Sequence, residues 1–419
     1  MIRERLKRLN PRWVALLSFL AVIGPGIIAA SAGNDSGGIS TYSVAGARYG
    51  YAMLWMMLAM TPSFVIVQEM AGRMGAVTGK GFAALIREKY GVRPTLLAMI
   101  LLLASNAATT VAEFAGIAAA LELFGVTKYV SVPVAAVVVW LLVVRGSYRN
   151  VEKVLLLLSA VFVSYIVATF MARPDWGTVA RAMVTPQIVP TQAFIALAIG
   201  LTGTTIAPWM QFLVQSNIVE KGTTIKKWAL AKWDVIIGAI SANVVAIFII
   251  ITTGTVLFPR HIAVTSAKEA ALALAPLAGH YATLLFALGL LSASVLSAAV
   301  LPLTASYAIC EAFGWEAGVD RSWSEAPAFN ALYTFVIFLA AAIILLPAVN
   351  LISVMLVSQV VNGMMLPFLL IFMIRIINDR RIMGDHVNGR VLNVVAWATI
   401  VVVISLTVLL LGMSFLGIG

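Results

Sequence analysis

The sequence predicts an all-α integral membrane protein with about eleven transmembrane helices, arranged as a five-plus-five inverted repeat in which helices 1 and 6 are broken. The first observation is composition: 62% of the 419 residues are hydrophobic, 11% are charged, and the mean hydropathy is +1.01. The second is a series of apolar segments long enough to cross a bilayer. The third is that two segments, at corresponding places in the two halves, are interrupted by glycine or proline.

The apolar segments follow one another with short polar loops between them. A window of about 19 residues places their starts near Trp13, Tyr51, Pro94, Val130, Val151, Thr191, Trp228, Tyr281, Phe329, Asn350 and Val391. We expect a single transporter domain over 1–419, in which 13–171 form the first repeat, 191–377 form the second and 391–417 form an extra helix.

Basic residues are concentrated in alternate loops, which the positive-inside rule places in the cytoplasm. They precede the first segment and follow the second, fourth, sixth and tenth: Arg3, Arg5, Lys7, Arg8, Arg12, Arg73, Lys80, Arg87, Lys89, Arg93, Arg145, Arg149, Lys153, Lys221, Lys226, Lys227, Lys232, Arg375, Arg380, Arg381 and Arg390. We therefore expect a cytoplasmic N-terminus and an external C-terminus. No small-residue cleavage site follows the basic start, so we expect no removable signal peptide.

Several function classes are disfavoured by the same sequence. The net charge of +11 is spread over loops rather than one polar face, which argues against a nucleic-acid partner. Cys310 is the only cysteine, so an internal disulfide or a cysteine-pair metal site is excluded. No Walker loop, dinucleotide fingerprint or nucleophile with a base is found. We expect neither an enzyme nor a nucleotide or cofactor partner; the lipid bilayer is the expected surrounding.

The first interrupted segment contains a carboxylate. The run GPGIIAASAGNDSGGIST at 24–41 places Asp35 among helix-breaking residues. An ionisable group at bilayer depth is costly, and freed backbone carbonyls survive there only where they line a cavity or are buried in protein. This pattern predicts an ion site at Asp35. The alternative is an aspartate that only caps a helix end.

The second interrupted segment is the sixth, with the run GTTIAPW at 203–209. Paired interrupted segments are typical of inverted-repeat transporters whose substrate lies near the midplane. Carbonyls near Ala32 and Thr204, and oxygens from Thr204, Thr205 and Gln211, are candidate ligands of the ion or its waters.

Several motifs together carry a family resemblance. The runs DSGGIST at 35–41, AGARYGY at 45–51 and QEMAGRMGAVTGK at 68–80 resemble the Nramp family of divalent-metal transporters. EFAG at 113–116, PDW at 174–176, Gln359 and MG at 383–384 occur in that family's order. The resemblance spans nearly the whole chain and implies the broken-helix fold that Nramp proteins share with amino-acid transporters of their superfamily.

Two departures from the Nramp pattern bear on the metal. The family's metal-binding asparagine corresponds to Gly38, and its metal-contacting methionine corresponds to Ala207. A soft sulfur favours transition metals, so its loss removes discrimination against Mg²⁺, which usually keeps several waters and binds through one or two carboxylates. We expect a widened wall at Gly38 and Ala207, as in the prokaryotic Nramp-related magnesium transporters. The alternative is that Met210 supplies the missing sulfur.

Proton coupling requires titratable groups inside the membrane. Of the acidic pair that Nramp proteins carry in helix 3, only Glu113 remains, with Thr110 at the other position. The family's helix-6 histidines correspond to Trp209 and Val214, and the chain's own histidines, His261, His280 and His386, fall in loops or at segment ends. Glu113 is a residual relay position or one half of a structural ion pair with an arginine.

The sequence thus predicts a transporter of hydrated Mg²⁺, and of Mn²⁺, in the cytoplasmic membrane of a prokaryote, working by alternating access without protons. Gln359 and Asn362 are candidates for gating or for interhelical hydrogen bonding. Three alternatives stay open: a proton-coupled Mn²⁺/Fe²⁺ importer, an amino-acid transporter, and a membrane receptor or structural subunit that transports nothing.

Overall fold

The structure is a computed structural model that describes residues 34–144, 161, 164–319 and 321–416. The predicted segments that begin near Trp13 and Val151, and the carbonyl donor expected near Ala32, lie outside the described residues.

Every regular element of the described part is a helix, and its longest helices agree with the apolar segments. The helices are α1 Ser36–Tyr49, α2 Leu54–Thr78, α3 Phe82–Tyr90, α4 Val92–Glu122, α5 Lys128–Val144, α6 Ser164–Ala172, α7 Trp176–Val184, α8 Gln192–Thr205, α9 Pro208–Glu220, α10 Ile225–Val256, α11 Ala282–Phe313, α12 Pro327–Leu345, α13 Leu351–Ile377 and α14 Arg390–Leu416. Short helical turns connect α10 to α11 and α13 to α14. Among the described residues, 8 spans are long and apolar enough to cross a membrane, and α5 is a shorter apolar helix.

The all-α membrane fold is therefore confirmed. The described helices begin within about three residues of the predicted starts, because lipid demands an apolar helical run of nearly fixed length. The division into two inverted repeats stays a prediction.

The sixth predicted segment is interrupted where glycine, threonine and proline cluster. Helix α8 ends at Thr205, Ile206 and Ala207 leave the helical conformation with ψ of 60° and 140°, and α9 begins at Pro208. Proline suits this first position because its missing N–H is unpaired at a helix start in any case. In the first predicted segment, α1 begins at Ser36, with Asp35 as its N-cap.

Glycines bring two pairs of helices close together near the second break and along α1. A Cβ on Gly46 of α1 would meet the Ile250 carbonyl of α10, and a Cβ on Gly203 of α8 would meet the backbone of Gly363 on α13. Glycine at such crossings lets backbones approach in membranes, where packing rather than the hydrophobic effect joins helices. The backbone of α1 is consequently held near that of α10, and the backbone of α8 near that of α13.

The end of the bundle that carries the basic loops is held by polar contacts. Arg73 of α2 is buried, forms an ion pair with Glu69 at 3.1 Å, and donates to the His386 carbonyl at 2.7 Å and to the Asn388 side chain. Glu311 at the end of α11 accepts from the Gly81 N–H at 2.8 Å. These contacts join α2, the α2–α3 connection, α11 and the α13–α14 connection at that end.

Candidate metal site at the helix breaks

Asp35 is buried at the start of α1, with 1% of its surface exposed. Its backbone is extended and its Oδ1 accepts a hydrogen bond from the Gly38 N–H at 2.6 Å, which is the geometry of an N-cap. Asp35 therefore does cap a helix. Capping through one oxygen leaves room for metal binding, because an ionised carboxylate offers about four lone-pair positions.

Glu113 of α4 reaches the same helix start from the side. Its Oε2 accepts from the Ser36 N–H at 3.3 Å and from the Ser36 hydroxyl at 2.9 Å. Gly116, nearly one turn further along α4, makes this possible, because a side chain there would collide with Ser36. Two buried carboxylates thus share the N-terminus of α1, where the helix dipole favours negative charge.

No arginine neutralises these carboxylates in the described part of the chain. The ion pairs found there involve other acids and lie away from Asp35 and Glu113. The structural ion pair considered for Glu113 is replaced by the hydrogen bonds from Ser36.

Gln359 of α13 lies over the start of α1, and Asn362 orients its amide. The Asn362 side chain donates to Gln359 Oε1 at 3.0 Å and to Thr109 Oγ1 at 2.9 Å, while Ser105 donates to Asn362 at 2.6 Å. With its oxygen held, Gln359 turns its Nε2 toward Gly37, where a Cβ would overlap it. Asn362 therefore joins α13 to α4, and Gln359 covers the Asp35 end of α1.

Gly38 faces the second break across a short gap. A Cβ built on Gly38 would lie 2.6 Å from Thr204 Oγ1, 3.1 Å from Asp35 Oδ1 and 3.4 Å from Tyr42 Cε2. The space that the missing asparagine side chain frees is thus occupied by the Thr204 and Tyr42 side chains, which differs from the expected open wall. The Tyr42 hydroxyl lies 3.5 Å from Thr205 Oγ1.

The remaining candidates lie on the far side of the second break. Ala207 is buried as the N-cap residue of α9, without a side-chain cap. Met210 is buried, and its sulfur accepts from Gln68 Nε2 of α2 at 3.5 Å. Gln211 is buried, and its two polar side-chain atoms have no hydrogen-bond partner within the described part. The structure thus brings together Asp35, Gly38, Thr204, Gln359, Asn362 and Glu113, whereas Met210 is engaged with α2.

The arrangement suits a cation. Helix α8 ends beside Gly38, and the last carbonyls of a helix carry the negative end of its dipole. Thr204 Oγ1 and Glu113 Oε1 are buried oxygens that lack a hydrogen bond of good geometry to any described residue; such atoms commonly contact water or an ion. Among the described residues no group of three or more His, Cys, Asp or Glu side chains could enclose a metal ion.

Comparison with known families identifies the chain. The family model "Natural resistance-associated macrophage protein-like", or Nramp, matches residues 26–412. The chain belongs to the Nramp family. It is a membrane transporter of divalent metal ions and not an enzyme.

Solved structures show the same fold. The manganese transporter of Eremococcus coleocola, in complex with an aromatic bis-isothiourea substituted compound, superposes with a TM-score of 0.77 at 22% identity, covering 97% of this chain and 88% of that one. MhsT in complex with L-phenylalanine gives 0.58 at 14% identity, covering 92% and 97%. Mhp1, a nucleobase-cation-symport-1 family transporter, gives 0.55 at 13% identity, covering 93% and 92%.

Sequence reasoning missed two residues at the site. Ser36 was passed over although it follows Asp35, and its bond to Glu113 depends on the packing of α4, which local pattern does not reveal. Tyr42 lies four residues after Gly38, so helical spacing puts both on one face. That spacing was the available signal for Tyr42.

Proposed function

We propose that this Nramp protein carries hydrated Mg²⁺, and also Mn²⁺, by alternating access and without proton coupling. The observation that supports this most directly is the pair of buried carboxylates, Asp35 and Glu113, at one helix start. A site with so few strong ligands leaves the ion most of its waters, as Mg²⁺ prefers, and Mg²⁺ usually binds through only one or two carboxylates.

Oxygen atoms around the carboxylates suit a water shell rather than a bare ion. The hydroxyls of Thr204, Thr205 and Tyr42 and the last carbonyls of α8 can accept hydrogen bonds from metal-bound waters. Asp35 attracts the cation, and Gln359 covers it from the α13 side.

The competing substrates fit the same geometry less well. A transition-metal site through Met210 would have to release its sulfur from Gln68. An amino acid would place its carboxylate at a half-helix N-terminus, but Gly38 N–H and Ser36 N–H already donate to Asp35 and Glu113. Uncoupled transport is supported by Thr110, Trp209 and Val214 at the family's relay positions.

The site assignment is tested by Asp35→Ala and Asp35→Asn, measured as Mg²⁺ and Mn²⁺ uptake into proteoliposomes. We expect flux to fall to the background of empty liposomes in both variants, because each removes a negative charge that offsets the cost of the ion's lost waters. Glu88→Gln is the matched control, because Glu88 is exposed and pairs with Lys80 far from the break. Folded Asp35 variants with normal flux would rule out the site.

The selectivity argument is tested by returning the family's ligands. Ala207→Met should raise the preference for Mn²⁺ over Mg²⁺ by about tenfold, since a thioether favours the softer ion; Ala207→Leu controls for volume. Gly38→Asn requires Thr204→Ala beside it, because Thr204 Oγ1 occupies the room. For both sets of variants, the ion preference is measured by letting Mg²⁺ and Mn²⁺ compete for uptake into proteoliposomes. An unchanged ion preference in well-folded variants would refute the role of hydration.

The coupling argument is tested with a pH dye inside the liposomes. A Mg²⁺ or Mn²⁺ gradient should drive uptake without acidifying the lumen, because Thr110, Trp209 and Val214 cannot carry a proton at the positions where the family has relay groups. An inside-negative potential of about 100 mV, worth about 2.3 kcal/mol per elementary charge, should accelerate uptake. Metal-dependent acidification beyond the proton leak would favour the proton-coupled alternative.

A further inference from the structure

A cavity of about 410 Å³ opens at the end of the bundle opposite the basic loops. Its walls are the last turns of α1, the connection after α10 and the first turns of α13. The lining residues that bear on the argument are Val44 and Arg48 of α1, His261 after α10, and Ser353 and Leu356 of α13.

The helices that line this cavity also carry the candidate metal site. Helix α1 begins at Asp35 and reaches the cavity at Val44, while α13 lines it as far as Leu356, three residues before Gln359. Along the sequence of both helices between cavity and site, the Ser40 hydroxyl of α1 donates to the Met355 sulfur of α13 at 3.2 Å and joins the two helices. The cavity and the candidate metal site are therefore built on the same two helices, α1 and α13.

The cavity is basic, although the proposed cargo is a cation. Arg48 is exposed in it, with its guanidinium 5.5 Å from the centre of the Tyr49 ring, and no acidic residue is among the lining residues. Of the other titratable groups on the adjoining segment, His261 lines the cavity, Arg260 precedes His261 in sequence, and Lys268 follows Thr265 by three residues. Glu269, the nearest acid along that segment, is engaged by Ser266 N–H at 2.6 Å and by the Ser266 hydroxyl at 2.5 Å.

We propose that this cavity is the outer vestibule of the transport route and that Arg48 sets how readily a divalent cation enters it. The inference rests on the proposed function. A unit charge at about 10 Å in water disfavours a divalent cation about fourfold. The positive end of the α13 dipole adds to this effect. Arg48 thus keeps the apparent affinity low, and the effect weakens as salt screens the charge.

The first experiment measures the electrostatic potential in the vestibule by thiol labelling, which does not depend on transport. In a Cys310→Ala background, which removes the one native and buried thiol, a single Ser353→Cys reports from the cavity wall. Exposed Thr127→Cys, between Glu122 and Lys128 at the same end of the molecule, is the matched control. Each thiol is labelled at pH 8 in low salt, in one reaction with an anionic methanethiosulfonate and in another with a cationic one. The ratio of the two labelling rates is then compared between the two positions.

We expect the anionic-to-cationic rate ratio at Ser353→Cys to exceed that at Thr127→Cys about fourfold. This fourfold excess should persist in Arg48→Lys and fall most of the way to the control value in Arg48→Gln, where only the smaller effect of the α13 dipole is left. A ratio equal to the control with Arg48 present, or one that Arg48→Gln leaves unchanged, overturns the proposal.

Transport then tests whether the charge matters for entry. In proteoliposomes of determined orientation, Arg48→Gln should lower the half-saturating Mg²⁺ concentration on the vestibule side about fourfold, while Arg48→Lys leaves it unchanged. If Arg48→Gln changes the labelling ratio but leaves the half-saturating Mg²⁺ concentration unchanged, the role of Arg48 in cation entry is overturned. Absence of any divalent flux in the parent protein contradicts the proposed function instead, and the labelling ratio still decides whether the cavity is electropositive.

Discussion

The structure depends on placing two carboxylates, Asp35 and Glu113, at the start of one helix inside the membrane. Each is buried, and such a charge is stable there only with hydrogen bonds to its oxygens. The N-terminus of α1 supplies them, through Gly38 N–H to Asp35 and Ser36 N–H to Glu113. A helix that ran unbroken through the first segment would have no free N–H groups to offer. The break therefore stabilises the charge as well as creating the site.

Neighbouring helices are arranged around this helix start. Gly116 lets α4 bring Glu113 to Ser36, and Gly37 lets Gln359 lie over α1. Asn362 fixes the direction of the Gln359 amide through bonds to α4. Together these contacts place carboxyl groups at one side of the helix start and hydroxyls at the other, an arrangement that suits a cation.

Sequence reasoning found the described helices, the break at Ile206 and Ala207, and the helix start beside Asp35, because lipid imposes strong local rules. A span needs an apolar run, and a carboxylate beside glycines in such a run has few structural explanations. The contents of the pocket were harder to foresee. Gly38 and Ala207 suggested empty space, but Thr204 and Tyr42 occupy the room at Gly38, and only the crossing of α1 with α8 reveals this. The Ser36–Glu113 bond and the orientation of Gln359 likewise depend on contacts between residues far apart in sequence.

The central claim is that the ion stays largely hydrated in the site, and pulsed EPR of bound Mn²⁺ tests it most directly. In D₂O, exchangeable deuterons in the inner shell report how many waters the ion keeps. The account predicts that water fills most of the shell, and that the bound-metal spectrum disappears in Asp35→Ala. A Mn²⁺ ion bound with most of its waters removed would contradict it, because the described site offers too few oxygen ligands to replace them.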